Sequence, residues 1–519
     1  MTTTSTGNGE WNAVVGAYDI SDDVIINHDV TYDNHIDMTG SLTINSGKKL
    51  GEGAASKNMT VDGHVSVDGT LDLDRSSSDG NATFDSIIIN SGGQVDAPSH
   101  GTITILSEDA SHAFRCSGGG TFNNNDGSVT IQTPAQTRLK MNGTGNLHNL
   151  TVNHGSCQLH MESDTSTTIE GNLTITAGTV NTNTEGGASR NLTVTGELSC
   201  AGTFTGNASL VTVRNLLITA GTFTAPSDSG SGDLVITGEG NAGSGDGYAF
   251  RRTGGTFTHS SGTVTFTTAT TTQIRMGTAA QSFNNVIFDE SSAGGIWYVN
   301  DEGFTVTNDL TLTDGDFDTG LGTTAPLIDI QGDLTIGANN TFGGITATQT
   351  GNISFGSLTI ASGGTYSATS GTTTITGGKS SSGYSFQNAG TFTHNKGKIK
   401  LAFTPSQNWY CQCNEYYDFE LAYTENYYCM MEDQSGNAIT ILGDLTISQG
   451  LFDVYANADS LTVHGLTTNA GTIENYANQD TGKITHHGLV TNTGTYKIND
   501  GTTVKMNGGI RQLGTLTIS

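Results

Sequence analysis

Residues 254–266, GGTFTHSSGTVTF, return as AGTFTHNKGKIKL at residues 389–401, so Thr256-Phe257 and Thr391-Phe392 lie 135 positions apart. A more divergent copy, GGTFNNNDGSVTI, occupies residues 119–131, with Thr121-Phe122 another 135 positions upstream. Self-similarity at a fixed period marks a repeat architecture and has to be read before domains are counted or motifs sought. Inside each long repeat a finer unit recurs, a Leu-Thr-Ile strand preceded by Asn, Asp or Ser and followed by a Gly-containing turn. Leu42-Thr43-Ile44, Leu173-Thr174-Ile175, Leu310-Thr311-Leu312, Leu334-Thr335-Ile336, Leu358-Thr359-Ile360 and Leu445-Thr446-Ile447 are examples. Side chains alternate along a strand, so the outer two residues point to one side and the Thr to the other, giving one buried and one wet face.

Successive strands of this type fall mostly 16 to 27 residues apart, with a mean near 22. That is the length of one coil of a parallel β-helix, in which each turn stacks on the turn below. The predicted fold is therefore all-β, a parallel β-helix (β-solenoid) with about 22 residues per coil, organised in multi-coil repeats of ~135 residues. A string of four β-sandwiches is the competing arrangement. Composition fits the solenoid. The 519 residues include 71 Gly but only 5 Pro, and 13% are charged. Gly and Asn supply left-handed backbone at corners, while proline would remove a hydrogen bond that an internal strand owes its neighbour. The repeat frame divides the chain into an amino-terminal cap or assembly segment (1–20, with Trp11 and Tyr18), a partial repeat (21–120), repeats at 121–255 and 256–390, a shortened repeat with an aromatic insertion (391–494) and a partial repeat (495–519) whose last coil is expected to be covered by another copy or another protein.

Net charge is −29, from 49 acidic and 20 basic residues spread along the chain. Nucleic-acid binding, which needs clustered Lys and Arg, is not expected. No run of 18 apolar residues is present, so no membrane insertion is expected. The start, MTTTSTGNGEWNAVV, lacks the basic and apolar regions of a secretion signal; with Met1 it suggests synthesis in a cytoplasm and exit by another route. The six cysteines are too scattered for a disulfide framework, although Cys411 and Cys413 share a strand face that Cys429 could join as a thiolate metal site.

Candidate chemistry is sparse. Asp72 with Asp74, the run Asp314, Asp316 and Asp318 in DGDFDTG, and Glu415, Asp418 and Glu420 are acid groupings that could serve glycoside cleavage. The alternating Asp314, Asp316 and Asp318 also form a candidate Ca2+ site, outside the EF-hand pattern, which the spacing does not meet. No HExxH, GxSxG or phosphate-binding loop occurs, and no organic cofactor is implied. The strongest local departure between repeats is residues 409–428, which hold eight aromatic side chains. Trp409, Tyr410, Tyr416, Tyr417, Tyr427 and Tyr428, with Trp297 and Tyr298 in the preceding repeat, are candidate contacts for carbohydrate or protein, against core filling as the other reading.

The runs GTFTHSSGTVTF (255–266), QSFNNVIFD (281–289) and NLTITAGTV (172–180) resemble repeats of bacteriophage tail-fibre or spike proteins and of bacterial β-helical surface proteins. The resemblance implies a virion-surface location, a trimeric homo-oligomer, contacts with other virion proteins and with a host cell-surface glycan or protein, and in some relatives depolymerase activity. The expected function is a non-enzymatic fibre or decoration protein on a virion; a secreted bacterial adhesin is the second reading and a polysaccharide-degrading enzyme the third.

Overall fold

The structure is a computed structural model that describes residues 3–4, 9–11, 18–53, 56–75, 79–107, 112–227, 233–238, 247–268, 270–277, 281–290, 295–299, 303–319, 327–344, 350–425, 427–434, 438–454, 460–474, 483–499 and 501–518. Among them no helix occurs, and the strands stack in parallel as a β-solenoid of about 19 turns, roughly 23 residues apart. The period agrees closely with the 22 residues read from the strand spacing. The chain forms two compact units, Met1–Gly245 with Ala249–Thr263, and Asp246–Tyr248 with Val264–Ser519. Of the segment 1–20, the backbone of Thr3–Thr4, Gly9–Trp11 and Tyr18–Ile20 is described, and each strand pairs in parallel with one further along the chain. The side chains of Trp11 and Tyr18 lie outside the described residues.

In the first unit each coil carries three strands, and each strand finds its register partner one coil on. One column runs Ile36, Met59, Ala82, Ile103, Val129, Leu150. A second runs Leu42, Val65, Ile87, Phe114, Leu139, and a third Val30, Leu50, Leu71, Val95, Phe122. All of these point inward and are buried, because a period of two puts every second apolar side chain on the core face. The Leu-Thr-Ile strand is not confined to one column. Leu42 belongs to the second, whereas Leu173 pairs with Leu150 and so extends the first.

The Asn or Asp that precedes these strands has a definite job. Asn58 Oδ1 accepts the Asn81 N–H at 2.9 Å, and Asn81 Oδ1 in turn accepts the Thr102 N–H at 3.0 Å. Asn149 and Asn172 repeat the arrangement, as do Asp418 and Asp444 in the second unit, at 2.7 and 2.8 Å. A corner interrupts the strand ladder and leaves a backbone donor without a carbonyl; a short side-chain acceptor from the previous coil satisfies it.

The second unit stacks Leu310, Leu334, Leu358, Phe386, Cys411 and Met431 in one column. Beside it runs an aromatic ladder, Phe317, Phe342, Tyr366 and Phe392. Phe317 and Phe342 stack with centroids 5.0 Å apart, and Tyr366 and Phe392 at 5.8 Å. The repeat signature Thr391-Phe392 is a rung of this ladder, and Thr256-Phe257 pairs with Thr222-Phe223 in a comparable ladder of the first unit. Asparagine also stacks inside. Asn469 and Asn492 are fully buried, with Asn469 Nδ2 donating to Asn492 Oδ1 at 2.7 Å and to Thr495 O at 2.8 Å.

Candidate functional site

Alternation decides which aromatic side chains are available. On Ile296–Val299, Trp297 faces the core and is fully buried, while Tyr298 faces outward and is half-buried. On Trp409–Gln412 the same parity buries Trp409 and Cys411 and turns Tyr410 and Gln412 out. Tyr416 is fully buried against Phe386, Phe392 and Phe419. Trp297, Trp409 and Tyr416 are thus core residues and not the surface contacts expected of them. Tyr298, Tyr410, Tyr417, Tyr427 and Tyr428 keep exposed surface. Tyr428 donates its hydroxyl to Glu474, and the Tyr417 ring lies 5.6 Å from that of His394.

The acids of the DGDFDTG run stand in different surroundings. Among the described residues no three His, Cys, Asp or Glu side chains converge to hold a metal ion. Gly315 turns the chain between Leu310–Asp314 and Asp316–Asp318, with φ +91° and the Trp297 ring in the space a Cβ would need. Asp314 is exposed and Asp318 fully buried. Asp316 accepts the Thr341 N–H, and burial raises its pKa despite that bond. Cys411, Cys413 and Cys429 are buried free thiols. Burial pushes the Cys413 thiol up to about 12, so it stays protonated. A buried, protonated thiol of this kind is unreactive.

The other acid groupings are engaged structurally. Lys49 lies 2.6 Å from Asp72. Glu420 is bridged by Lys398 at 3.1 Å and Lys400 at 2.9 Å, which hold its pKa down against the opposing effect of burial. Glu415 pairs with His394 at 3.3 Å. Ser99, His100 and Asp79 meet in the first unit, but Ser99 Oγ lies 2.9 Å and Asp79 Oδ2 3.6 Å from the same ring nitrogen, His100 Nδ1. A nucleophilic triad needs the serine and the carboxylate on opposite nitrogens.

What the second unit does assemble is an outward face of tyrosine and amide groups. Tyr384–Asn388, Trp409–Gln412 and Tyr428–Glu432 are register neighbours on three successive coils. Tyr384 and Tyr410 lie with ring centroids 5.4 Å apart at 42°. Gln387, Gln412 and Glu432 form the next row, Gln412 two residues beyond Tyr410 and Gln387 three beyond Tyr384, where a bulge shifts the register. The Tyr384 hydroxyl donates to Glu432 Oε2 at 2.8 Å, tying the first coil to the third. Burial, with the charge of Asp433, raises the Glu432 pKa.

Beyond this row lies a cleft of about 330 Å3 lined by Ser362, Asn388, Ala389, Gln412, Asn414 and Gln434. Its amides interlock: Gln434 N–H donates to Asn414 Oδ1 at 2.8 Å, and Asn414 Nδ2 donates to Gln434 Oε1 at 3.4 Å. Gln412 Nε2 donates to Asp433 O at 3.4 Å. Sequence reasoning singled out Tyr410 but missed Tyr384 and the amides. The available signal was the i, i+2 spacing of Tyr410 with Gln412 against Trp409, Cys411 and Cys413, which assigns the two sets to opposite faces. Comparison with protein-family models, with curated proteins and with solved structures gives no match.

Proposed function

We propose that this chain is a non-enzymatic structural and adhesive protein of a virion appendage, whose second unit contacts glycans of a host or environmental surface. The observation that carries the proposal is the tilted, part-exposed Tyr384–Tyr410 pair, with Gln412, two residues beyond Tyr410 on the same strand face, lining an amide cleft. Tyrosine offers a flat apolar ring with a polar tip, which suits the mixed faces of a sugar. Amides donate and accept together and so suit hydroxyl groups. The solenoid contributes a rigid support: Tyr384, Asn388, Tyr410 and Gln412 stand on its strands, and Ser362, Ala389, Asn414 and Gln434 sit in the turns and bends that follow them. The acid groupings that a glycosidase would use are occupied by lysine, histidine and backbone partners, which favours binding over cleavage. The same face would serve a bacterial surface adhesin.

The test is binding of the purified full chain to immobilised surface polysaccharides, with a reducing-end assay in parallel. Tyr410→Ala is expected to weaken retention about tenfold, the loss of one stacking contact of roughly 1 kcal/mol or more, with an unchanged melting midpoint and no release of reducing ends by either protein. Unchanged retention by Tyr410→Ala would reject this face as the contact, and sustained release of reducing ends would reject the non-enzymatic reading.

A further inference from the structure

Resting on that reading, we infer that the amide cleft of the second unit selects uncharged glycans and rejects carboxylated or sulfated ones. Its lining is Ser362, Asn388, Ala389, Gln412, Asn414 and Gln434, with no lysine, arginine or histidine. Recognition of sulfate or carboxylate calls for charge-assisted donors, above all the fork of an arginine. Here the donors are neutral amides, and an amide's acceptor oxygen stands beside every donor pair.

The surroundings act in the same direction. Glu432 is the register partner of Gln412 on the next coil, and Asp433 follows it immediately before Gln434. Both acids are nearly buried, at 8% and 5% exposure. Neither position supplies a cation, so an anionic ligand group would leave water here without a charged donor to replace its hydration. A neutral polyol meets no such cost.

Geometry sets the extent of the ligand. Ile360 pairs with Asn388, Gln387 with Gln412 and Gln412 with Glu432, so the lining residues come from four successive coils. Three coil steps span ~14 Å along the stacking direction, which fits a short stretch of an extended oligosaccharide and not a single ring. The reciprocal Asn414–Gln434 bonds hold the lining in place before any ligand arrives, which lowers the ordering cost of binding. Among the described residues the Gln412 side chain is bonded only through Nε2 to Asp433 O, so its carbonyl oxygen and second N–H are available to a hydroxyl pair.

The experiment measures retention of the full chain on a neutral β-glucan and a neutral mannan, and on alginate and a sulfated galactan, at low and high salt. Gln412→Leu, Gln412→Lys and Tyr410→Ala are run alongside, each checked for an unchanged melting midpoint. The wild-type chain is expected to bind a neutral glycan at least about tenfold more tightly than either anionic one and with little salt dependence. Gln412→Leu should weaken that binding about tenfold, and Gln412→Lys should shift preference towards the sulfated galactan. Salt-sensitive wild-type preference for alginate or sulfated galactan would overturn the selectivity while leaving the adhesive function in place. Neutral binding lost in Tyr410→Ala but unchanged in Gln412→Leu would remove the ligand from the cleft. Retention on none of the four polysaccharides would overturn the inference and the glycan-contact reading together.

Discussion

At the scale of single residues, the interior of the second unit contains a histidine that makes its stability depend on pH. His486 is fully buried, with Nδ1 2.8 Å from Thr467 Oγ1 and Nε2 2.9 Å from the Tyr496 hydroxyl. Burial lowers its pKa from 6.5 to about 4. Between those values the unfolded chain binds a proton that the folded chain does not. The contribution of the neutral ring is therefore complete above pH 6.5 and is lost as the pH falls towards 4, with an amplitude of ~3 kcal/mol. Urea midpoints followed by circular dichroism should fall between pH 7 and pH 4.5, and His486→Gln should remove that part of the fall. An identical fall in the variant would assign the acid sensitivity to other groups. Gly315 is a second single-residue determinant. Its positive φ strains any other residue and the Trp297 ring fills the space a Cβ would need, so Gly315→Ala should lower stability by about 1–3 kcal/mol, read as a lower melting midpoint.

At the scale of strands and ladders, the aromatic column of the second unit ties successive coils together through stacked rings. Phe342 is fully buried, stacks on Phe317 and meets Phe355 edge-on at 5.8 Å. Phe342→Ala should cost about 3–5 kcal/mol through lost burial and a residual cavity, whereas Phe342→Leu should cost well under half of that. Thermal unfolding of both variants checks the ordering. Much of this element structure was legible in advance. The shared Leu-Thr-Ile pattern marks Leu310, Leu334 and Leu358 as equivalent strands, and they are register partners. What could not be read was the column a strand joins. Leu42 and Leu173 have the same local sequence but stand in different columns, because column membership depends on how many residues each corner consumes. The site was half legible for a related reason. Neighbours such as Trp297 and Tyr298, or Trp409 and Tyr410, look alike in composition, and one residue of strand parity separates a core ring from a surface ring. The cleft was not legible, since Ser362, Asn388, Gln412 and Gln434 are brought together by coil stacking across more than 70 residues of chain.

At the scale of the molecule, the acidic balance governs behaviour in solution. With a net charge of −29 at pH 7 and an isoelectric point near 4.5, the chain repels its own copies at neutral pH and loses that protection on acidification. Solubility measured across pH should pass through a minimum near 4.5 and recover on either side. A flat profile would show that charge is not what keeps the copies apart.

The register of the parallel ladders has a further consequence, for the order in which the chain acquires its structure. Leu198 closes on Leu216 and Leu334 on Leu358, so a new coil requires only the coil just completed as its template. Loop closures of that size carry a small and nearly constant entropy cost, and no strand has to wait for a partner encoded hundreds of residues later. Within each unit a chain emerging from the ribosome can therefore wind from its amino-terminal side, each turn fixed before the next is made. Synthesis itself becomes the folding pathway, and a stalled ribosome would hold a shorter solenoid and not an unfolded chain.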